Sequence, residues 1–340
     1  MHRAGHGWRQ RVHPRASLAT AVTCLAVALL VLGAAGCAGF KPAASASSLA
    51  SAGGRPSGRP PAATQVRLLV TRDYGRTVLL DKLIRTQGSV SVMKVLAENA
   101  SVKTAYGGGF VNAIDGLQST HGAAGEPSDW FYWIDGRLAQ VGATDRDVHG
   151  GQTVWWDYHD WQGAAIIPAA LSAFPAPWNE RPLVLQGDLA ASAVRTWAAK
   201  NHLNIGRPAA LSLAPAGAAL VVASPAEAAA TPWLKDLFAL GNEAGIFVAL
   251  EHGSLHALSS RGTATASLRA AAVATTNPRR QSSLLLIVIG DDAAAVQTLL
   301  DRLTPKSLTA RVAVGLTRTS LIALPDDGSD GDAQTTTQGQ

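Results

Sequence analysis

Two runs decide how the middle of this chain folds: Trp130-Phe131-Tyr132-Trp133-Ile134-Asp135-Gly136 and Thr153-Val154-Trp155-Trp156-Asp157-Tyr158-His159. Both are built of β-branched and aromatic residues, and the first stops at Asp-Gly, a strong hairpin signal. Both therefore read as strands. Side chains alternate between faces along a strand. Trp130, Tyr132 and Ile134 then share one face, with Phe131 and Trp133 on the other. Val154, Trp156 and Tyr158 share a face opposite Trp155 and His159. Each strand thus carries large aromatics on both sides, and a small domain with one helix can cover only one. Either the second aromatic face is a contact surface, or a later stretch of the chain lies on it. The sequence leaves both readings open.

Working outward, residues 66–71 and 77–83 are short apolar strands around Asp73-Tyr74-Gly75, a second hairpin signal. Residues 89–100 place Val92, Val95 and Leu96 at helical spacing after Ser89 or Ser91 as N-cap. Residues 110–114 form a further strand ending at Asp115-Gly116. Strand, strand, helix, strands over residues 66–161 predicts a β-grasp, one helix packed across a mixed sheet.

Residues 182–325 alternate differently. Strands at 183–185, 220–223, 246–250, 284–289, 312–316 and 320–324 are interleaved with helices at 190–202 and 226–240, and with one carrying Val296, Leu299, Leu300 and Leu303. That alternation predicts an α/β sandwich. The expected fold class is thus α+β followed by α/β. Residues 162–181, with Pro168, Pro175 and Pro177 and Pro182 just beyond, read as a Pro-rich linker.

The ends carry the compartment. Arg3, Arg9, Arg11 and Arg15 precede an apolar run from Leu18 to Leu32, then Gly33-Ala34-Ala35-Gly36-Cys37. Residues 1–36 have the basic, apolar and small-residue segments of a secretory signal. The junction looks like a bacterial lipobox with Cys37 as the lipidated residue, although Ala34 stands where Leu is usual. Plain secretion or a retained N-terminal anchor are the alternatives. Residues 37–65, rich in Ala, Ser, Gly and Pro, read as a disordered tether, and residues 326–340 as a disordered acidic tail. The whole chain has 29 basic and 24 acidic residues; removing the four signal arginines leaves 25 against 24. The basic balance therefore belongs to the precursor, and nucleic acid is not an expected partner.

Catalytic signatures are absent from the sequence: there is no GxSxG, Walker loop, HExxH or GxGxxG after a strand. His252 and His256 lack a third ligand. Asp291-Asp292 at a strand-to-helix junction reads as an N-cap, and Gly107-Gly108-Gly109 as a tight turn. No enzyme activity, metal or cofactor is expected.

The runs Ser91-Val92-Met93-Lys94-Val95-Leu96, Tyr106 through Leu117, Trp130 through Gly136, Val141-Gly142-Ala143 and Gly151 through Tyr158 resemble the DUF4430 family. That family is similar to the C-terminal β-grasp domain of transcobalamin and intrinsic factor. The resemblance covers residues 66–161. It implies a soluble ligand, cobalamin or a related corrinoid, bound at the cell surface; with the lipobox, that is a lipoprotein anchored on the extracellular side of the membrane. It would act as an accessory of an uptake transporter. The implied partners are energy-coupling-factor transporter components or a helical-barrel corrinoid-binding protein. The alternative is an envelope protein-interaction lipoprotein with no small ligand. The ligand-contact residues expected are Trp130, Tyr132, Trp133, Trp155, Trp156, Tyr158 and His159.

Overall fold

The computed structural model describes residues 64–120, 127–164, 166–277 and 280–328. The signal segment, Cys37, the tether up to residue 63 and the tail beyond residue 328 lie outside the described residues. Among the described residues no helix is long and apolar enough to cross a membrane.

The first sheet is built from β1 (Thr64–Arg72), β2 (Thr77–Thr86), β3 (Ser128–Ile134), β4 (Arg137–Leu138) and β5 (Thr153–Asp160). Its order is β2-β1-β5-β3-β4. β1 and β5 run parallel at the centre, and every other neighbour pair is antiparallel. The β3–β4 turn is tight because Asp135 and Gly136 both adopt positive φ, 48° and 74°.

One helix, α1 (Val92–Ala97), lies on this sheet. Ser91 caps it, its Oγ accepting from the Lys94 N–H at 3.2 Å. The helix is half the expected length. Asn99 turns its side chain back onto the Val95 carbonyl at 2.9 Å, and the chain leaves the helix there. So short a helix is held by packing rather than propensity. Val92, Val95 and Leu96 bury against Trp130, Tyr132, Ile134, Val154 and Trp156.

The C-terminal region comprises β6 (Val184–Gln186), α2 (Ala191–Lys200), β7 (Ala219–Ala223), α3 (Pro225–Ala230), α4 (Pro232–Leu240), β8 (Val248–Glu251), β9 (Ser254–Leu258), β10 (Ala264–Leu268), β11 (Ala270–Asn277), β12 (Arg280–Gly290), α5 (Ala293–Arg302), β13 (Ala313–Leu316) and β14 (Leu321–Leu324). Six strands form one sheet in the order β6-β7-β12-β11-β13-β14, and β8-β9-β10 form a small antiparallel one. The larger sheet is parallel from β6 to β12 and antiparallel from there on. The described residues are therefore of mixed α and β structure.

Two local departures have plain causes. The helix expected at 226–240 is two helices, because Thr231 precedes Pro232 and takes extended angles, φ −94° and ψ 109°. No element is expected at β11, four of whose eight residues are alanine. Its neighbours β12 and β13 pair with it on both sides and hold it extended. Asp292 caps α5 as expected, accepting from the Ala295 N–H at 2.7 Å.

One face of the six-stranded sheet packs on α2 and α5. The other shares a single hydrophobic core with α4, the small sheet and the back of the first sheet, including Leu69, Trp133 and Trp155. The Pro-rich segment 162–181 does more than connect. Ile167, Ala170, Leu171, Phe174 and Trp178 are buried, because they are the apolar cover for the two sheets they join. Trp133 Nε1–H donates to the Ile167 carbonyl at 2.9 Å and ties this segment to β3.

Gly75, in the β1–β2 turn at φ +81°, lies so close to the C-terminal region that a Cβ there would sit 1.9 Å from the Ala310 carbonyl oxygen. Gly75→Ala is expected to lose about 3 kcal/mol of stability in urea unfolding. Gly88→Ala, also at positive φ (+73°) but facing open space, should lose only about 1 kcal/mol. Equal losses would show that the close approach does not matter.

Candidate functional site

Seven residues are expected from the sequence to present an aromatic contact surface, and the structure places all of them on β3 and β5. Trp130, Tyr132 and Trp156 face α1 and are buried. Trp133, Trp155 and His159 face the C-terminal region and are buried too. Tyr158 is half-buried, and its hydroxyl donates to the Gln118 carbonyl at 2.8 Å. Tyr132 stacks on Trp156 and Trp133 lies beside Trp155, each pair with centroids 4.7 Å apart. Of the two readings left open, the chain's own residues cover the second aromatic face. No ring of the six buried residues is presented to a ligand as a free stacking surface.

Beneath that cover sits a polar junction that the sequence does not announce. Asp157 is wholly buried. One carboxyl oxygen accepts from the Tyr74 N–H at 3.0 Å and the other from the Gly75 N–H at 2.8 Å. The Thr71 hydroxyl donates to it as well, and Trp155 Nε1–H donates to that hydroxyl at 2.8 Å. His159 Nδ1 lies 2.9 Å from the same carboxyl group. Its imidazole is stacked between Tyr74 and Phe131, each centroid 4.5 Å away. The two backbone donors converge because Asp73, Tyr74 and Gly75 all take positive φ, 59°, 60° and 81°. This is a concave run of N–H groups that suits a negative group. The signal is Asp73-Tyr74-Gly75 itself, which by sequence says only that the chain turns. Both oxygens of Asp157 are thus engaged within the core. Among the described residues no group of three His, Cys, Asp or Glu is placed to hold a metal ion.

An open concavity lies elsewhere, between the β3–β4 end of the first sheet and the α4 end of the C-terminal region. It is a groove of about 630 Å³, within the range of small-ligand sites. Its apolar wall includes Leu138, Val141, Ile166 and Leu240, and its charged groups are Arg137, Arg146 and Glu243. Val141 and Ile166 are 50% and 59% exposed, so large aliphatic groups line it in contact with water. None of the seven expected residues lines it. Tyr132 reaches it indirectly, since its hydroxyl donates to the Val141 carbonyl at 2.6 Å and fixes that wall. Only the run Val141-Gly142-Ala143 hints at this place in the sequence.

Burial pushes the Tyr132 phenol up to about 12, with Arg146 pulling it down and Asp145 adding to the rise. A phenol raised in the folded state stabilises that state fully below the ordinary value of 10.0, and this is lost as pH climbs through the raised value. Tyr132→Phe should cost about 1 kcal/mol at pH 8 through the lost hydrogen bond. Between pH 10 and 12 wild type should lose about 1–2 kcal/mol that the variant does not, so the gap should close or reverse. Urea unfolding at the three pH values checks this; a constant gap would contradict it.

Comparison with known proteins adds the following. No curated protein matches the chain. A solved structure from Ruminococcus gnavus, described as a "putative metal binding protein", is 13% identical, spans 28% of this chain and 97% of that one, and gives a TM-score of 0.23. At that score the likeness carries no argument. A family model described as a domain of unknown function, DUF4430, matches residues 89–160, the stretch from the start of α1 to the end of β5. This stretch of the chain, residues 89–160, belongs to the DUF4430 family.

Proposed function

We propose that this chain is a binding protein without catalytic activity, held at the outer face of the membrane through Cys37, and that it receives a soluble ligand in the groove beside β4. The observation that carries this reading is the groove itself: a water-accessible concavity walled by Val141, Ile166 and Leu240, with Arg137 and Arg146 at the same site. Apolar walls with a few charged groups are the make-up of ligand sites. The family resemblance suggests a corrinoid delivered to an uptake transporter. The aromatic faces on which a corrin would lie are filled by the chain's own residues, so a corrinoid, like any other ligand, is assigned to the groove.

A second reading has its own observation. β2 is the edge of the first sheet, and Val78, Leu79 and Leu83 on it are 51%, 45% and 65% exposed. An open edge strand bearing apolar groups is a common place for another chain to pair. This supports the envelope-interaction alternative, with β2 as its contact.

Calorimetric titration with cobalamin, cobinamide and the dye 8-anilinonaphthalene-1-sulfonate separates the two. The binding reading expects one site per chain for at least one of them, weakened about tenfold by Ile166→Asp, a change at an exposed wall. Heat that Ile166→Asp leaves unchanged would place the ligand outside the groove. No heat with any of the three, together with a membrane partner lost on Leu83→Lys, would favour the edge strand.

A further inference from the structure

Arg137 and its surroundings point to the chemistry of the ligand, an inference that rests on the binding reading above. The residue is half-buried in the groove wall, and its backbone is fixed on both sides. β4 pairs Arg137 with Ile134, and an isolated bridge joins it to Ala169. The adjoining Gly136 carbonyl accepts from the Ala170 N–H at 2.8 Å, and the Leu138 N–H donates to the Pro168 carbonyl at 3.2 Å. The guanidinium thus rides on a rigid hairpin braced by the Pro-rich segment. Its contact is a long one, 3.5 Å from Nη2 to the Ser282 carbonyl. Among the described residues no carboxylate lies within ion-pair distance of it, whereas Arg67 and Arg261 each have one.

An unpaired cation set into an apolar wall is costly unless an anion completes it. Burial disfavours the charged guanidinium here, and Arg181 nearby adds to that, with Glu180 only partly opposing. Arg146, on the same groove, is exposed and adds a second positive charge. One acid, Glu243, also exposed, lines the groove. The balance at the wall is positive, beside an aliphatic surface made of Leu138, Val141, Ile166 and Leu240.

We propose that the groove takes an amphipathic carboxylate, its apolar body on Val141, Ile166 and Leu240 and its carboxylate paired with the Arg137 guanidinium. The planar fork of arginine matches the two oxygens of a carboxylate, which a lysine ammonium cannot do. A neutral ligand of the same body would leave that cation unpaired, and a cationic one would be repelled.

Octanoate, octan-1-ol and octylammonium share one apolar body and differ only in the head, so they serve as probes on the full-length chain by calorimetry. The expected order is octanoate at least tenfold tighter than octanol, with octylammonium weakest. Arg137→Gln should bring octanoate down to the affinity of octanol and leave octanol unchanged. Arg137→Lys, which keeps the charge, should retain some of the preference, and it stands in if circular dichroism shows Arg137→Gln misfolded. Octanol binding as tightly as octanoate, with Ile166→Asp weakening both, would overturn the carboxylate while leaving the groove as the site. A preference that survives Arg137→Gln would overturn Arg137 as its anchor. Binding by none of these probes, the corrinoids or the dye would overturn the groove reading and the carboxylate with it.

Discussion

The packing of this chain is arranged around one wholly buried carboxyl group. Asp157 lies at the centre of the first sheet, on β5 beside β1, and an unpartnered acid there would cost several kcal/mol. It is satisfied by Thr71 from β1, by the Tyr74 and Gly75 amides from the β1–β2 turn, and by His159 from its own strand. The turn must therefore hold three successive residues at positive φ. At the third of them, Gly75, the lack of a side chain also lets the Ala310 backbone approach. The turn that serves the acid is thus also a point of contact with the C-terminal region.

The same junction explains why the aromatic strands are not a binding face. His159 is clamped between Tyr74 and Phe131, and Tyr74 in turn lies 6.0 Å from Phe247 of the C-terminal region. Trp133 and Trp155 join the core that runs on into β7, β11 and β12. Burial of rings this large is worth on the order of 2 kcal/mol or more each, which exceeds what an exposed stacking surface would gain from an occasional ligand. Where this shared core ends, the first sheet and the C-terminal region diverge and leave the groove. Its walls come from both: Leu138 and Val141 from the former, Leu240 and Thr276 from the latter, with Ile166 and Pro168 from the segment that joins them. The site exists because the two regions are packed against each other.

Much of the fold is legible in the sequence because it rests on local signals. Alternation along β3 and β5 assigns the faces of Trp130, Tyr132, Trp133, Trp155 and Trp156 as the structure has them. The Asp-Gly turn and the Ser91 cap are short-range chemistry of the kind a sequence displays. Elements set by tertiary context are not legible: β11, to which no local signal points, and the burial of Ile167, Leu171, Phe174 and Trp178 in a segment whose prolines suggest only a connector. The groove is invisible for the same reason. Its charged residues, Arg137, Arg146 and Glu243, come from separate stretches of the chain and share no motif. Asp157 reads as one more residue in an aromatic strand, since nothing local says which acid will be buried.

The central claim is that the Asp157 junction joins the first sheet and the C-terminal region into a single cooperative structure, with the groove as its product. Native-state hydrogen exchange of the Gly75 amide, which donates to Asp157, against the Ile287 amide deep in the six-stranded sheet tests it most directly. The account predicts that both exchange only through global unfolding, with the same opening free energy. A Gly75 amide that opens several kcal/mol more readily than Ile287 would show two regions that unfold separately, and would contradict it.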